Sequence, residues 1–198
     1  MSIKRILIAL VTLAVVGLDL GVGWGQKPAE SKRAKPTGVI LPQDMADALH
    51  AVIAADREVY TRWQRRVAEG RGSGSSESPS GAGAWPAPCV FLRQSGELVQ
   101  SKGAEFSYTL RSRQPLNPQN APQTELEEAG LRFLAGHPGE TYYAQESLGG
   151  RRYFTGVYPE TAVDQACADC HNRQTAARPV WRPGDLMGGL VVRVALEF

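Results

Sequence analysis

Residues 140–172 read ETYYAQESLGGRRYFTGVYPETAVDQACADCHN. Two extended runs, Glu140 to Leu148 and Arg151 to Tyr158, flank Gly149-Gly150, and two glycines between β-prone runs are a hairpin signal. The stretch then leaves the strand pattern and closes on two cysteines and a histidine. Downstream, Leu186 to Phe198 reads as a buried strand. Upstream, Thr124 opens a helix with Glu127 three residues on, a capping-box pattern, running to about Ala135. Before it lie the X-Pro turns of Ser112 to Pro122 and a half-buried strand, Glu105 to Arg111, alternating Phe106, Tyr108 and Leu110. Pro88 to Gln100 fits a helix opened by proline. Gln43 to Ala68 reads as a long helix with Met45, Leu49, Val52, Ile53, Tyr60, Trp63 and Val67 on its apolar face. The expected fold class is therefore α+β: an antiparallel sheet with flanking helices and a long N-terminal helix.

The ends of this pattern define the domain organisation. Lys4 and Arg5 precede an apolar run from Ile6 to Leu18, followed by small residues at Gly21, Gly23 and Gly25. That order reads as a secretory signal over residues 1–25, with an uncleaved N-terminal anchor as the alternative. Residues 26–42 are a polar tether, 43–198 the folded domain, and 70–84 (GRGSGSSESPSGAGA) a flexible low-complexity loop. The expected location is the periplasm, with membrane contact only if the N-terminal segment is retained. With 22 basic and 20 acidic residues the formal charge is +2, and no basic stripe interleaves with aromatics, so nucleic acid is not an expected partner.

Cys167-Ala168-Asp169-Cys170-His171 is a C-x-x-C-H pentad. Two thiols three residues apart on a turn of helix can each add to one vinyl group of a single porphyrin, and the adjacent imidazole can then hold the iron. The motif implies one covalent haem c, through Cys167 and Cys170, with His171 as the proximal iron ligand. A zinc site using Cys89 as well, or a plain Cys167–Cys170 disulfide, are the competing readings. The chain has 3 cysteines, so thioether links would leave Cys89 over. Cys89 follows Pro88 at an expected helix N-terminus, where backbone N–H groups favour a thiolate, which makes it the first candidate for the sixth iron ligand. A buried inert thiol is the other reading of Cys89. Met187, His50 and His137 are lesser candidates, His50 because it falls on the flank of the long helix's apolar face and His137 because it sits in a turn.

Other residues carry weaker signals. Asp56 falls inside the apolar stripe and is either a partnered buried acid or an edge acid. Arg151 and Arg152 either pair with haem propionates or are solvated strand-end charges. Phe106, Tyr108, Tyr153, Phe154 and Tyr158 read chiefly as core.

From about Met45 to Phe198 the chain resembles the Tll0287-like haem domain family. The resemblance is carried by WPAPCVFLRQSGELVQSKG (85–103), RSRQPLNPQNAP (111–122), YFTGVYPETAVDQACADCHN (153–172) and WRPGDLMGGLVVRVAL (181–196). It implies a PAS-like fold binding haem c, found alone or as the sensor part of signalling proteins. The stretch 70–84 is a local departure. The expected function is redox or small-ligand sensing, with a periplasmic redox or signalling protein as partner; the alternative is a periplasmic electron carrier. An enzyme is not expected, because no distal His/Arg pairing of the kind peroxide cleavage requires is visible.

Overall fold

The computed structural model describes residues 38–71, 86–174 and 180–197. The export segment, most of the tether and all but the first two residues of the 70–84 loop lie outside them. Nine elements follow in order: α1 (Pro42–Arg71), α2 (Pro88–Ser101), β1 (Phe106–Arg111), a 3-10 turn (Pro118–Asn120), α3 (Glu125–Gly136), β2 (Tyr142–Leu148), β3 (Arg151–Thr161), α4 (Gln165–Gln174) and β4 (Leu186–Ala195). The fold is α+β, with one antiparallel sheet in the order β1-β4-β3-β2.

The hairpin is the one read from the sequence. Tyr142 faces Val157 and Leu148 faces Arg151, and Gly149 and Gly150 turn the chain at φ +59° and +80°. Both values lie in the left-handed region that glycine enters without steric cost. Thr124 caps α3, its hydroxyl accepting from the Glu127 N–H at 3.1 Å. Glu127 departs from a standard capping box by accepting from the Gln123 N–H, at 2.6 Å, rather than from the cap residue itself.

β4 is central and is buried on both faces, which is why its sequence is apolar at consecutive positions. Leu190, Val192 and Val194 join Tyr158 and Tyr108 under α1 and α2, with Ala46, Ile53 and Leu92 from the helices. Val191 and Val157 face the other way and pack against Leu134 of α3. The result is three layers, α1 and α2 over one sheet face and α3 over the other.

The structure corrects two expectations about α1. The helix continues to Arg71, so residues 70 and 71 belong to it and not to the loop. Its buried face is also rotated from the one expected. Ala46, Ile53 and Thr61 are buried, while Val52 is 61% and Trp63 41% exposed. Beside Ile53 and the partly buried Leu49, the buried face uses small and polar residues, which a count of large apolar side chains passes over.

Candidate functional site

α4 and its flanks form one excursion between β3 and β4, closed at its base by backbone bonds. Ala162 N–H donates to the Asp185 carbonyl at 3.0 Å and Gly184 N–H to the Ala162 carbonyl at 2.8 Å. Asp164 precedes the helix and accepts from the Cys167 N–H at 3.0 Å, satisfying a donor of the first turn. Asn172 ties the helix to the returning chain: its amide donates to the Trp181 carbonyl at 2.9 Å and its carbonyl accepts from the Trp181 N–H at 2.8 Å.

These contacts hold Cys167, Cys170 and His171, all half-buried, on one short helix, at positions i, i+3 and i+4. Residues so spaced share a helix face. The His171 ring meets Trp181 edge-on, with centroids 6.5 Å apart and planes at 82°. Burial lowers the His171 pKa, favouring neutral imidazole, the form that ligates metals. Burial, with the Asp164 carboxylate second, pushes the Cys167 thiol up to about 11, while Arg57 opposes that shift. The Cys170 sulfur lies 3.2 Å from the Gln174 amide nitrogen.

Arg57 is the residue the sequence reading missed at this site. It reaches from α1 to the end of β3, where it donates to the Thr161 carbonyl at 3.3 Å and forms an ion pair with buried Glu160. That contact is close without being aligned as a hydrogen bond, since Glu160 Oε2 has no hydrogen-bond partner. Burial raises the Glu160 pKa and Arg57 works against it.

Cys89 is half-buried as the second residue of α2, directly after Pro88. The start of α2 is pinned to α1 one turn beyond Arg57. Tyr60 stacks on Phe91 with centroids 4.3 Å apart and its hydroxyl donates to the Pro86 carbonyl at 2.7 Å. Arg57 and Tyr60 thus bring the Cys167 end of α4 and the Cys89 end of α2 to the same stretch of α1.

The remaining candidates sit elsewhere. His50 is not a flank residue: it faces the sheet and stacks on Tyr158, centroids 4.0 Å apart and planes at 5°. Burial lowers its pKa, with Asp47 opposing. Tyr158 and Tyr143 both donate to Asp47 Oδ1, at 2.8 and 2.6 Å. His137 caps α3, exposed, its ring 4.0 Å from that of Phe133. Met187 is half-buried at the start of β4. Arg151 and Arg152 lie at the opposite end of β3 from α4 and pair with Glu105 and Glu197, which matches the strand-end reading and not a role beside α4. Asp56 is exposed, as an edge acid. Among the described residues no three His, Cys, Asp or Glu side chains converge as metal ligands.

Fold and site together define an α+β domain whose C-x-x-C-H helix is presented on a closed excursion between two antiparallel strands. The chain belongs to the Tll0287-like family, whose family model, Tll0287, matches residues 41–195. Among solved structures it is similar to the cyanobacterial heme-protein Tll0287, at 17% identity over 80% of this chain and 98% of that one, with a TM-score of 0.44. No curated protein matches the chain.

Proposed function

We propose that this chain is an exported, non-enzymatic sensing domain carrying one haem c, linked covalently through Cys167 and Cys170 and ligated by His171. The observation that carries the reading is the placement of both thiols and the imidazole on α4. The donor set fits the group: two half-buried thiols one turn apart, and an adjacent imidazole whose burial favours its ligating form. Family membership supports the same cofactor. The apolar run of residues 6–18 after Lys4 and Arg5 supports export, and covalent haem attachment belongs to compartments outside the cytosol.

Bound there, haem would supply a one-electron centre, with potential and small-ligand access tuned by the residues that hold its iron. The chain's own residues do the rest. Asp164, Asn172 and Trp181 fix the pose of α4, and Arg57 sets a positive charge beside Cys167. Cys89, half-buried at the start of α2, would be the candidate for a further iron ligand. His50 stacks on Tyr158 and His137 caps α3. The layering of helices on one antiparallel sheet suits a module that hands a change at α4 to a periplasmic redox or signalling partner.

The test is spectroscopic. Protein from a host competent in cytochrome maturation should keep its colour through acid-acetone extraction and give a c-type pyridine haemochrome. Sensing requires that reduction or carbon monoxide change the axial ligation, and that Cys89→Ala alter the low-spin electron paramagnetic resonance signal. A spectrum closed to carbon monoxide and six-coordinate in both redox states would replace the sensor with an electron carrier.

A further inference from the structure

α1 carries a second stripe, on the side away from the sheet. Leu41 is 40% exposed, Met45 37%, Val52 61% and Val59 65%, and Ala48 and Ala55 between them are exposed as well. Leu41 belongs to the helical ladder, because its carbonyl accepts from the Met45 N–H at 3.1 Å. The spacing alternates four and three: Met45, Val52 and Val59 fall at position a of a heptad and Leu41, Ala48 and Ala55 at d. An apolar a/d seam is the surface by which one helix packs along another. The residues that meet the sheet or its strand ends occupy the opposite side of the helix: Ala46 and Ile53 at b, Thr61 at c, His50 and Arg57 at f. One helix therefore serves two surfaces, and only one of them is covered within the described fold.

We propose that this seam is the interface of a homodimer in which two α1 helices pack antiparallel. Charge selects both occupant and direction. In an antiparallel pair centred between Val52 and Ala55, Asp44 of one copy lies beside Arg65 of the other, twice by symmetry, in addition to the contacts each makes within its own chain. A parallel pair sets Asp44, Glu58 and Arg65 opposite uncharged residues. The same antiparallel register layers Val52 on Ala55 and Val59 on Ala48, large on small, which allows close approach of the two backbones. Arg62 then faces Met45 with its aliphatic stem, its head already paired with Glu58 in its own helix. The chain's own 72–85 run is mostly Gly and Ser and offers no apolar stripe to cover the seam. From Leu41 to Val59 the seam is about 27 Å long. That length sets the interface near the lower end of specific contacts, so the test spans the micromolar range.

Sedimentation velocity of the haem-loaded chain, purified from an exporting host and run from about 1 to 300 µM, tests this. A concentration-dependent dimer is expected. Val52→Glu with Val59→Glu should weaken it about 100-fold or more, since both carboxylates would be buried in the seam. Asp44→Arg and Arg65→Asp should each weaken it about tenfold by opposing like charges, and the double swap should recover affinity to within about threefold. Positions 44 and 65 are about 31 Å apart along one helix, so recovery can arise only between chains. All these positions face away from the core, and should the Glu pair prevent folding, the charge swaps still decide. A chain that stays monomeric at the highest concentration would overturn the proposal, as would a dimer indifferent to the seam substitutions or a double swap whose losses add.

Discussion

Glu127→Gln probes the charge cluster that holds α3 to the sheet. Glu127 is 1% exposed. One of its oxygens accepts from Arg111 Nε at 2.9 Å and from the Gln123 N–H at 2.6 Å, and the other from Arg193 Nη2 at 2.8 Å. Arg193 also reaches Glu146 at 2.7 Å. Glutamine matches glutamate in shape, so the substitution removes charge and one acceptor without opening a cavity. Its best orientation keeps the carbonyl toward Arg111 and Gln123 and turns the NH2 toward Arg193, donor against donor. Breaking a buried pair by removing one partner costs about 3–5 kcal/mol. Glu146 still compensates Arg193, so about 3 kcal/mol is expected, a fall in Tm of about 6–12 °C for a domain of this size. The pH dependence has a fixed sign. Burial acts to raise the Glu127 pKa, but Gln123, Arg193 and Arg111 outweigh it and the net shift is downward. A depressed carboxylate contributes stability that is present above its unfolded pKa and is lost as pH falls through the folded one. The gap between wild type and Glu127→Gln in a thermal melt should therefore be full at neutral pH and shrink in acid, below the usual carboxylate range. A neutral-pH gap under about 2 °C would refute the reasoning.

Two glycines in the same helix should respond with opposite signs. A Cβ on Gly130 would stand 2.7 Å from Val157 Cγ2 and 3.1 Å from Tyr142 Cδ1, whereas one on Gly136 meets nothing within 4 Å. In urea titrations Gly130→Ala should lose about 1–2 kcal/mol net of its helix propensity gain, and Gly136→Ala should gain about 0.5–1. Thr124→Ala removes the α3 cap and should cost about 1 kcal/mol in the same titration; no change would show the cap to be replaced by solvent. His50 has a pKa lowered by burial, so its contribution is full above the unfolded value and is lost as pH falls below it. His50→Phe keeps the stack on Tyr158, and its Tm should fall less than wild type's between pH 7.5 and 5; an unchanged slope would contradict this.

The parts of the fold legible in the sequence are those fixed locally. Gly149-Gly150, the Thr124 cap and the alternation in β1 each depend on neighbours a few residues away. The C-x-x-C-H pentad is contiguous, so one helix delivers the whole set. What escaped depends on contacts between distant elements. Arg57 stands 110 residues before Cys167, and nothing local marks it as that cysteine's neighbour. Glu127, Arg111 and Arg193 look like solvated charges until α3 folds over the sheet and buries them together. On α1 the large side chains Val52 and Trp63 suggested the core face, yet the sheet takes Ala46, His50 and Ile53, because Tyr158 already fills the space and accepts a flat ring against its own. Two apolar stripes on one helix cannot be ranked by hydropathy alone.

Peptide mass mapping of the pigmented protein tests the attachment itself. After denaturation and treatment with a thiol-alkylating reagent, the peptide containing Cys167 and Cys170 should carry the mass of one haem and no alkyl group, while Cys89 is alkylated. Recovery of that peptide with both cysteines alkylated and no haem mass would contradict the account at its root.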